Sequence, residues 1–363
     1  MYCRKEKTIL SIIFLFIAIS LFSEIRAVWV PAWDLADSTT ILEVVKTAKE
    51  HNINELLAEI RFRGDALYVP HKYFDDYPNP EVTNHIIKDT LFDPFQYLID
   101  EAHKRGIKVQ AWVTTFLATP HDVSYIDSNH VYNTHPQWVT YDMYHKMMSP
   151  KTLEGAYLDP GLPQVRNYLL DVFSDIIQNY KPDGFHLDYV RYPDYIYGYN
   201  PLSWRIFLRK NKTADGEKWI QWKRANITNF VIALRKRIKE ISPKTKLTAA
   251  VIWKLETARE KYAQDWLNWL KNGYMDRIYM MAYTKSNEDF YTYMDTVSTL
   301  GANKKIVVGL RAWDDRKQYP AKDIIYKINV VRDDRFKGFC LFSSTGLKQN
   351  DYWKKLRRIL KRK

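Results

Sequence analysis

Two short apolar runs in this 363-residue chain carry ionisable side chains at alternate positions. In Glu55-Leu-Leu-Ala-Glu-Ile-Arg-Phe62, Leu56, Ala58, Ile60 and Phe62 make one apolar face. Glu55, Leu57, Glu59 and Arg61 make the other, because side chains alternate along a strand. In Phe185-His-Leu-Asp-Tyr189, His186 and Asp188 share a face against Phe185, Leu187 and Tyr189. Charges on the inner face of a sheet are costly unless paired or used. One reading pairs Glu59 with Arg61 and Asp188 with Arg191 as structural ion pairs. The other makes Glu59 and Asp188 a working pair. Cleaving a glycosidic bond needs one carboxyl to protonate the leaving oxygen and another to stabilise or attack the oxocarbenium-like centre. Two carboxyls can divide those roles if their surroundings push their pKa values apart.

The rest of the chain repeats the same unit. Strand-like runs are Val28–Trp33, Glu55–Phe62, Lys108–Thr114, Gly184–Tyr189, Lys246–Trp253, Arg277–Tyr283, Lys305–Leu310 and Gly338–Ser343, with helical runs between them. Val165, Tyr168, Leu169, Val172, Phe173, Ile176, Ile177 and Tyr180 trace one helical face. Phe92–Arg105 behaves alike and stops at Gly106, a C-cap residue. Strands alternating with helices imply a parallel sheet, and eight units close most simply into an α/β (β/α)8 TIM barrel. A doubly wound sheet would want a Gly-rich turn after the first strand, where Pro31-Ala-Trp-Asp34 stands instead. Long loops follow strands two, three and four, roughly residues 63–91, 115–162 and 190–216. They leave from the face that carries barrel active sites.

Composition agrees with one packed domain over residues 24–363: 46% of residues are hydrophobic and 27% charged, so wholesale disorder is excluded. Cys3 and Cys340 are too few for a disulfide framework or a thiolate zinc site. Residues 1–23 read as a signal peptide: Arg4, Lys5 and Lys7 precede an apolar run from Thr8 to Phe22. Its removal takes three basic groups and Glu6, so the formal charge of +13 becomes +11. The expectation is export to the periplasm or beyond, into the cell envelope. An uncleaved membrane anchor is the competing reading.

Aromatic residues make up 15% of the chain. Trp112, Trp253, Tyr283 and Trp313 fall at or just past strand C-terminal ends and could stack on sugar rings, or simply cap the core. Tyr192, Tyr195, Tyr197 and Tyr199 crowd the fourth loop as a candidate binding rim. Lys354–Lys363 holds seven basic residues in ten, a solvated last helix or a contact for an anionic envelope surface. No nucleic-acid module, HExxH zinc motif or Gly-x-Ser-x-Gly elbow is present. His121, His130 and His135 share the third loop only at loose spacing. The sequence implies no cofactor and no metal, and leaves the oligomeric state open.

Asp183-Gly-Phe-His-Leu-Asp-Tyr-Val-Arg-Tyr-Pro193 resembles the fourth-strand signature of the glycosyl-hydrolase-like 10 family. Arg26–Val30 resembles its first strand, and Glu59-Ile-Arg61 with Gly64–Tyr68 its second strand and loop. Phe92–Phe95 with Glu101–Trp112, and Leu158–Pro163, agree in order. The resemblance implies an envelope TIM barrel with glycoside hydrolase activity, with peptidoglycan-derived glycan as one proposed substrate. Asp188 and Arg191 match the motif directly. Ala27 stands where the family usually has Gly, and Glu59 where it commonly has Gln. Asp65, Asp34 and Glu256 are therefore substitute acids. The same run also looks like the fourth strand of family 18 chitinases, and Met281-Ala-Tyr283 like their sixth. Val190 stands where those enzymes need their acidic Glu.

The sequence thus predicts a glycoside hydrolase acting on an envelope polysaccharide. Asp188 and Glu59 are the catalytic candidates. Arg61, Asp65, Trp112, His186, Arg191, Tyr192, Trp253, Tyr283 and Trp313 are the substrate-binding candidates. The alternative is a catalytically inactive glycan-binding barrel, a scaffold in the envelope.

Overall fold

In the computed structural model each of the eight runs forms a parallel strand. Residues 24–71, 76–89, 91–211, 215–314 and 318–362 are described. The proposed signal peptide, residues 1–23, lies outside them. The strands are β1 (Ile25–Val30), β2 (Glu55–Phe62), β3 (Lys108–Thr114), β4 (Gly184–Asp188), β5 (Lys246–Ile252), β6 (Arg277–Ala282), β7 (Ile306–Arg311) and β8 (Gly338–Phe342). β1 pairs with both β2 and β8, so the sheet closes into a barrel. β1 sits three residues earlier than the sequence predicted. Pro31 has no N–H for the ladder, and a 3-10 turn over Ala32–Leu35 takes over.

The outer ring is α1 (Ser38–Glu50), α2 (Pro94–His103), α3 (Pro163–Tyr180), α4 (Gly216–Ile241), α5 (Trp266–Lys271), α6 (Asn287–Ser298), α7 (Ala321–Asp333) and α8 (Tyr352–Lys361). Local chemistry sets their ends. The Asp93 carboxylate accepts from the backbone of Phe95 and Gln96 at 3.1 Å each, with Pro94 at the first helical position. Val165, Leu169, Val172, Phe173, Ile176 and Ile177 of α3 bury the predicted face against the strands. α8 buries Leu356, Ile359 and Leu360, while its basic residues face outward. Among the described residues no helix is long and apolar enough to cross a membrane.

Two apolar layers separate cleanly. Leu56, Ala58 and Ile60 pack against the helices, whereas Ala27, Trp29, Leu57, Trp112, Tyr279 and Cys340 fill the barrel. Gly309 makes room for the largest of these: a Cβ there would lie 2.8 Å from the Trp29 ring. Below the cleft runs a polar column. Trp29 donates from Nε1 to His186 Nε2 at 3.3 Å, which leaves the proton on Nδ1, 2.8 Å from Thr248 Oγ1. Thr248 donates to Gln110, and Gln110 to Tyr279 and Glu55, each oxygen being used in turn. Burial holds His186 well below its ordinary pKa, so it is neutral. It belongs to this column and supports the floor from below, a correction to its expected place against substrate.

One irregularity reorders a face. Glu59 pairs with Trp112 and Arg61 with Val113, so Ile60 is an extra residue in β2. Such a bulge reverses the side-chain alternation beyond it. Arg61 therefore points into the helix layer, not the barrel. Its guanidinium lies 2.6 Å from Glu81, donates to the Thr114 carbonyl and sits 5.8 Å from the Phe173 ring of α3. Neither the Glu59–Arg61 pair nor a substrate role for Arg61 survives this placement. Phe62, expected against the helices, turns to the cleft in its stead.

Candidate active site

The C-terminal ends of the strands surround a cleft of about 630 Å³. Glu59 and Asp188 reach it from β2 and β4, two strands apart, with Trp112 of β3 between them. Both carboxyls are nearly buried, Glu59 at 5% and Asp188 at 8% exposure, yet both line the cleft. Glu59 accepts one hydrogen bond, from the Ala32 backbone at 3.2 Å. Burial pushes it up to about 8, helped by the charge of Asp188 and opposed by Ala32 and Arg63.

Asp188 is better solvated by protein. Trp112 Nε1 donates to its Oδ2 at 3.2 Å and the Tyr189 backbone to its Oδ1 at 2.7 Å. The second bond needs a tight turn at the strand end. Tyr189 takes a left-handed φ of 50°, uncommon for a residue with a side chain. Burial raises Asp188 to about 6, with the Tyr189 backbone, Arg191 and Trp112 lowering it and Glu154 raising it. The two acids thus sit on opposite sides of neutral pH.

Cations frame the pair. The Arg191 guanidinium lies between the rings of Tyr189 and Tyr262, at 5.0 and 4.9 Å, and 3.8 Å from Glu154. Arg63 lies over the Phe62 ring at 5.1 Å and donates to the carbonyl of Glu154, tying the second loop to the third. Aromatic walls complete the cleft: Trp33, Trp253, Tyr283 and Phe342. Trp33 is 54% exposed, its N–H fixed on Thr345 Oγ1 at 2.7 Å.

Of the residues singled out in the sequence, Glu59, Asp188, Trp112, Arg191, Trp253 and Tyr283 meet in this cleft. Others do not. Asp65 is almost buried beside Asn84 (3.1 Å) and His130 (3.6 Å), where burial pushes it up to about 7. Tyr192 is fully buried under Lys223. Trp313 stands behind the wall, edge-on to Tyr283 and stacked with Arg311 at 3.9 Å. Asp34 accepts from Ser344 and Thr345 beside a separate small pocket, and Glu256 does not line the cleft. In the fourth loop Tyr197 is also buried, leaving Tyr195 as its well-exposed ring. The three loop histidines are not brought together, and no trio of potential metal ligands clusters among the described residues. Sequence reasoning missed Trp33, Phe62, Arg63 and Glu154. The bulge hid Phe62, and nothing in the irregular third loop marks Glu154.

The profile of the family described as glycosyl hydrolase-like 10 matches residues 24–321, most of the chain and every strand bearing the cleft acids. The chain belongs to that family. Curated relatives include the glycosyl hydrolase YngK of Bacillus subtilis, 24% identical over 239 residues. These cover 61% of this chain and 44% of YngK. Glycosyl hydrolase DigH of Escherichia coli is 25% identical over 253 residues, 62% of this chain and 53% of DigH. The chain thus spans about half the length of the relatives it matches. Among solved structures, the PgaB (BpsB) glycoside hydrolase domain of Bordetella bronchiseptica superposes with a TM-score of 0.72 at 14% identity. The match covers 94% of this chain and all of that one. The β-amylase catalytic domain of Paenibacillus polymyxa gives 0.57 at 11% identity over 93% and 98% of the two chains. At these identities the likeness is one of fold. This family member therefore carries a glycosidase-type barrel whose cleft presents two acids of unequal strength.

Proposed function

We propose that this chain hydrolyses O-glycosidic bonds in a polysaccharide of the bacterial cell envelope, an amino-sugar-rich or peptidoglycan-derived glycan being the favoured class. The observation that carries the reading is the pair of nearly buried carboxyls that line one cleft from β2 and β4, both raised by burial and Glu59 the more, to about 8 against about 6. At pH 7 Glu59 keeps its proton and Asp188 has lost its own. That is the division of labour glycoside cleavage needs. Glu59 gives its proton to the leaving glycosidic oxygen. Asp188 supplies the negative charge that stabilises or attacks the anomeric carbon, and water provides the hydroxyl that completes hydrolysis. Arg191 and the aromatic walls hold the sugar rings.

The basic, then apolar, N-terminal segment supports export by a signal peptide into the periplasm or beyond. The exposed basic face of α8 could rest against an anionic envelope surface. The test is incubation of the protein lacking residues 1–23 with purified envelope glycans, followed by mass spectrometry of the products. Asp188→Asn should release nothing while its Tm stays within about 2 °C of the parent's. Retained cleavage by that variant overturns the reading.

A further inference from the structure

We propose that the outer face of the third loop is a second sugar-binding strip, which continues the cleft and holds a polysaccharide chain beyond the bond being cut. The proposal rests on the glycan reading of the cleft.

Six of the large apolar side chains exposed among the described residues fall between Val123 and Leu153, on this one loop. Its centre is a hairpin, with Tyr141 paired to Met147 and Asp142 bridged to Tyr197 of the fourth loop. The hairpin is held firmly. The Asp142 carboxylate accepts from the backbone of Tyr144 and Lys146 at 2.9 Å each. The Tyr141 carbonyl accepts from Gly198 and Tyr199 at 3.1 and 3.0 Å. Buried Lys223 donates to the carbonyls of Tyr195 and Tyr197 at 2.9 and 3.0 Å. On this rigid base Met143, Tyr144, Met147 and Tyr195 stand exposed, Tyr144 at 77% and Tyr195 at 59%. Water would cover such side chains more cheaply if they were polar, so a firmly displayed apolar strip marks a binding surface.

The strip runs into the cleft. Exposed Leu153 directly precedes Glu154 in the cleft wall, and a turn closed by the Thr152 N–H on the Ser149 carbonyl at 3.0 Å leads back from it to Met147. Tyr195 lies four residues past Arg191. Rings and thioethers suit the CH faces of sugars, while Asp142, Lys146 and Asp194 offer partners for hydroxyls. Charges of both signs stand together here, Asp194 being paired with Lys261 at 2.9 Å, so the strip lacks the one-signed basic field that anionic lipid would select. A chain leaving the cleft past Glu154 would meet this face next.

The experiment uses Asp188→Asn protein, with and without Tyr144→Ser plus Tyr195→Ser, and with Tyr144→Ser alone as a milder variant. Affinity electrophoresis is run through gels containing glycol chitin, glycol chitosan or peptide-free peptidoglycan strands. Calorimetry measures a tetrasaccharide cut from whichever polymer retards the protein. The double variant should bind the polymer about tenfold more weakly, as loss of two stacking rings implies. Tetrasaccharide binding and Tm should stay as they were, and Tyr144→Ser should fall between. The proposal is overturned by equal losses for both lengths, by no loss for the polymer, or by no retardation in any gel. It is also overturned if the tyrosines instead govern binding to phosphatidylglycerol vesicles or self-association in sedimentation. The hydrolase reading fails separately, when wild-type protein leaves a bound polymer uncut.

Discussion

Trp112 donates its indole N–H to Asp188 Oδ2 across 3.2 Å, one strand reaching over to hold the acid of the next. The bond stabilises the charged carboxylate and is one of the contacts that keep Asp188 from rising above about 6. Trp112→Phe keeps the ring and removes the donor. Asp188 should then rise, and the acidic limb of the kcat/KM profile should move to higher pH. In the parent, activity should fall on the acid side as Asp188 is protonated near 6 and on the basic side as Glu59 ionises near 8. A profile measured on a soluble glycan checks both limbs. An unmoved acidic limb in Trp112→Phe would remove Asp188 from it.

Glu59 makes a stability prediction that needs no substrate. Its folded pKa, about 8, lies above the unfolded carboxyl value of 4.5. Below the unfolded value both states are protonated and the group has no effect. As pH rises, the unfolded chain ionises first and the folded state loses stability, until the penalty levels off above the folded pKa. Glu59→Gln removes the titration. It should raise Tm by a few degrees at pH 8, the order expected for a few kcal/mol in a barrel of this size, and leave it unchanged at pH 4. The same variant should lose glycan cleavage. Calorimetric melts at the two pH values decide it, and an equal shift at both would remove Glu59 as a buried titrating acid.

Arg61 separates structural from functional charge. It and Glu81 are fully buried, and Glu81 also accepts from Tyr68 and Tyr168 at 3.1 Å each. Arg61→Met would leave that carboxylate without its cation, at a cost of about 3–5 kcal/mol. Tm should fall by several degrees, while KM for a glycan, measured well below the new Tm, stays at the parent value. A raised KM at unchanged Tm would return Arg61 to the substrate.

The contrast between Arg61 and Asp188 shows how far the sequence could be read. Period-two alternation needs an unbroken ladder, and β4 offers one, so His186 and Asp188 face inward as their positions predict. In β2 the rule holds through Ile60 and fails from Arg61 on, because the bulge depends on the partner strand's register, which no local pattern encodes. The eight strands were legible because each is a compact apolar run. Pro31 is the sequence signal for the end of β1, since it has no N–H for the ladder. The fourth-loop tyrosines misled because ring count does not reveal which rings pack inward, as Tyr192 does under Lys223. Glu154 had no sequence signal, since its place is set by Arg63 binding its carbonyl and by Gly155 behind it. Gly155 takes a left-handed φ of 132°, and a Cβ there would lie 1.8 Å from the Thr119 carbonyl oxygen.

That same Glu154 supplies the counterpart to the Trp112 prediction. Its carboxylate sits 3.8 Å from Arg191 and adds negative charge beside Asp188, one of the influences that raise the acid. Glu154→Gln keeps size and hydrogen bonding but removes the charge. Asp188 should fall, and the acidic limb of the pH profile should move down, opposite in sign to Trp112→Phe. The basic limb, set by Glu59, should not move. Glu154 lies half exposed at the cleft edge, so Tm should change by no more than about 1 °C. Opposite displacements of one limb by Trp112, which bonds Asp188, and Glu154, which acts on it through charge, would assign that limb to Asp188. Displacements of the same sign would mean that the limb belongs to another group.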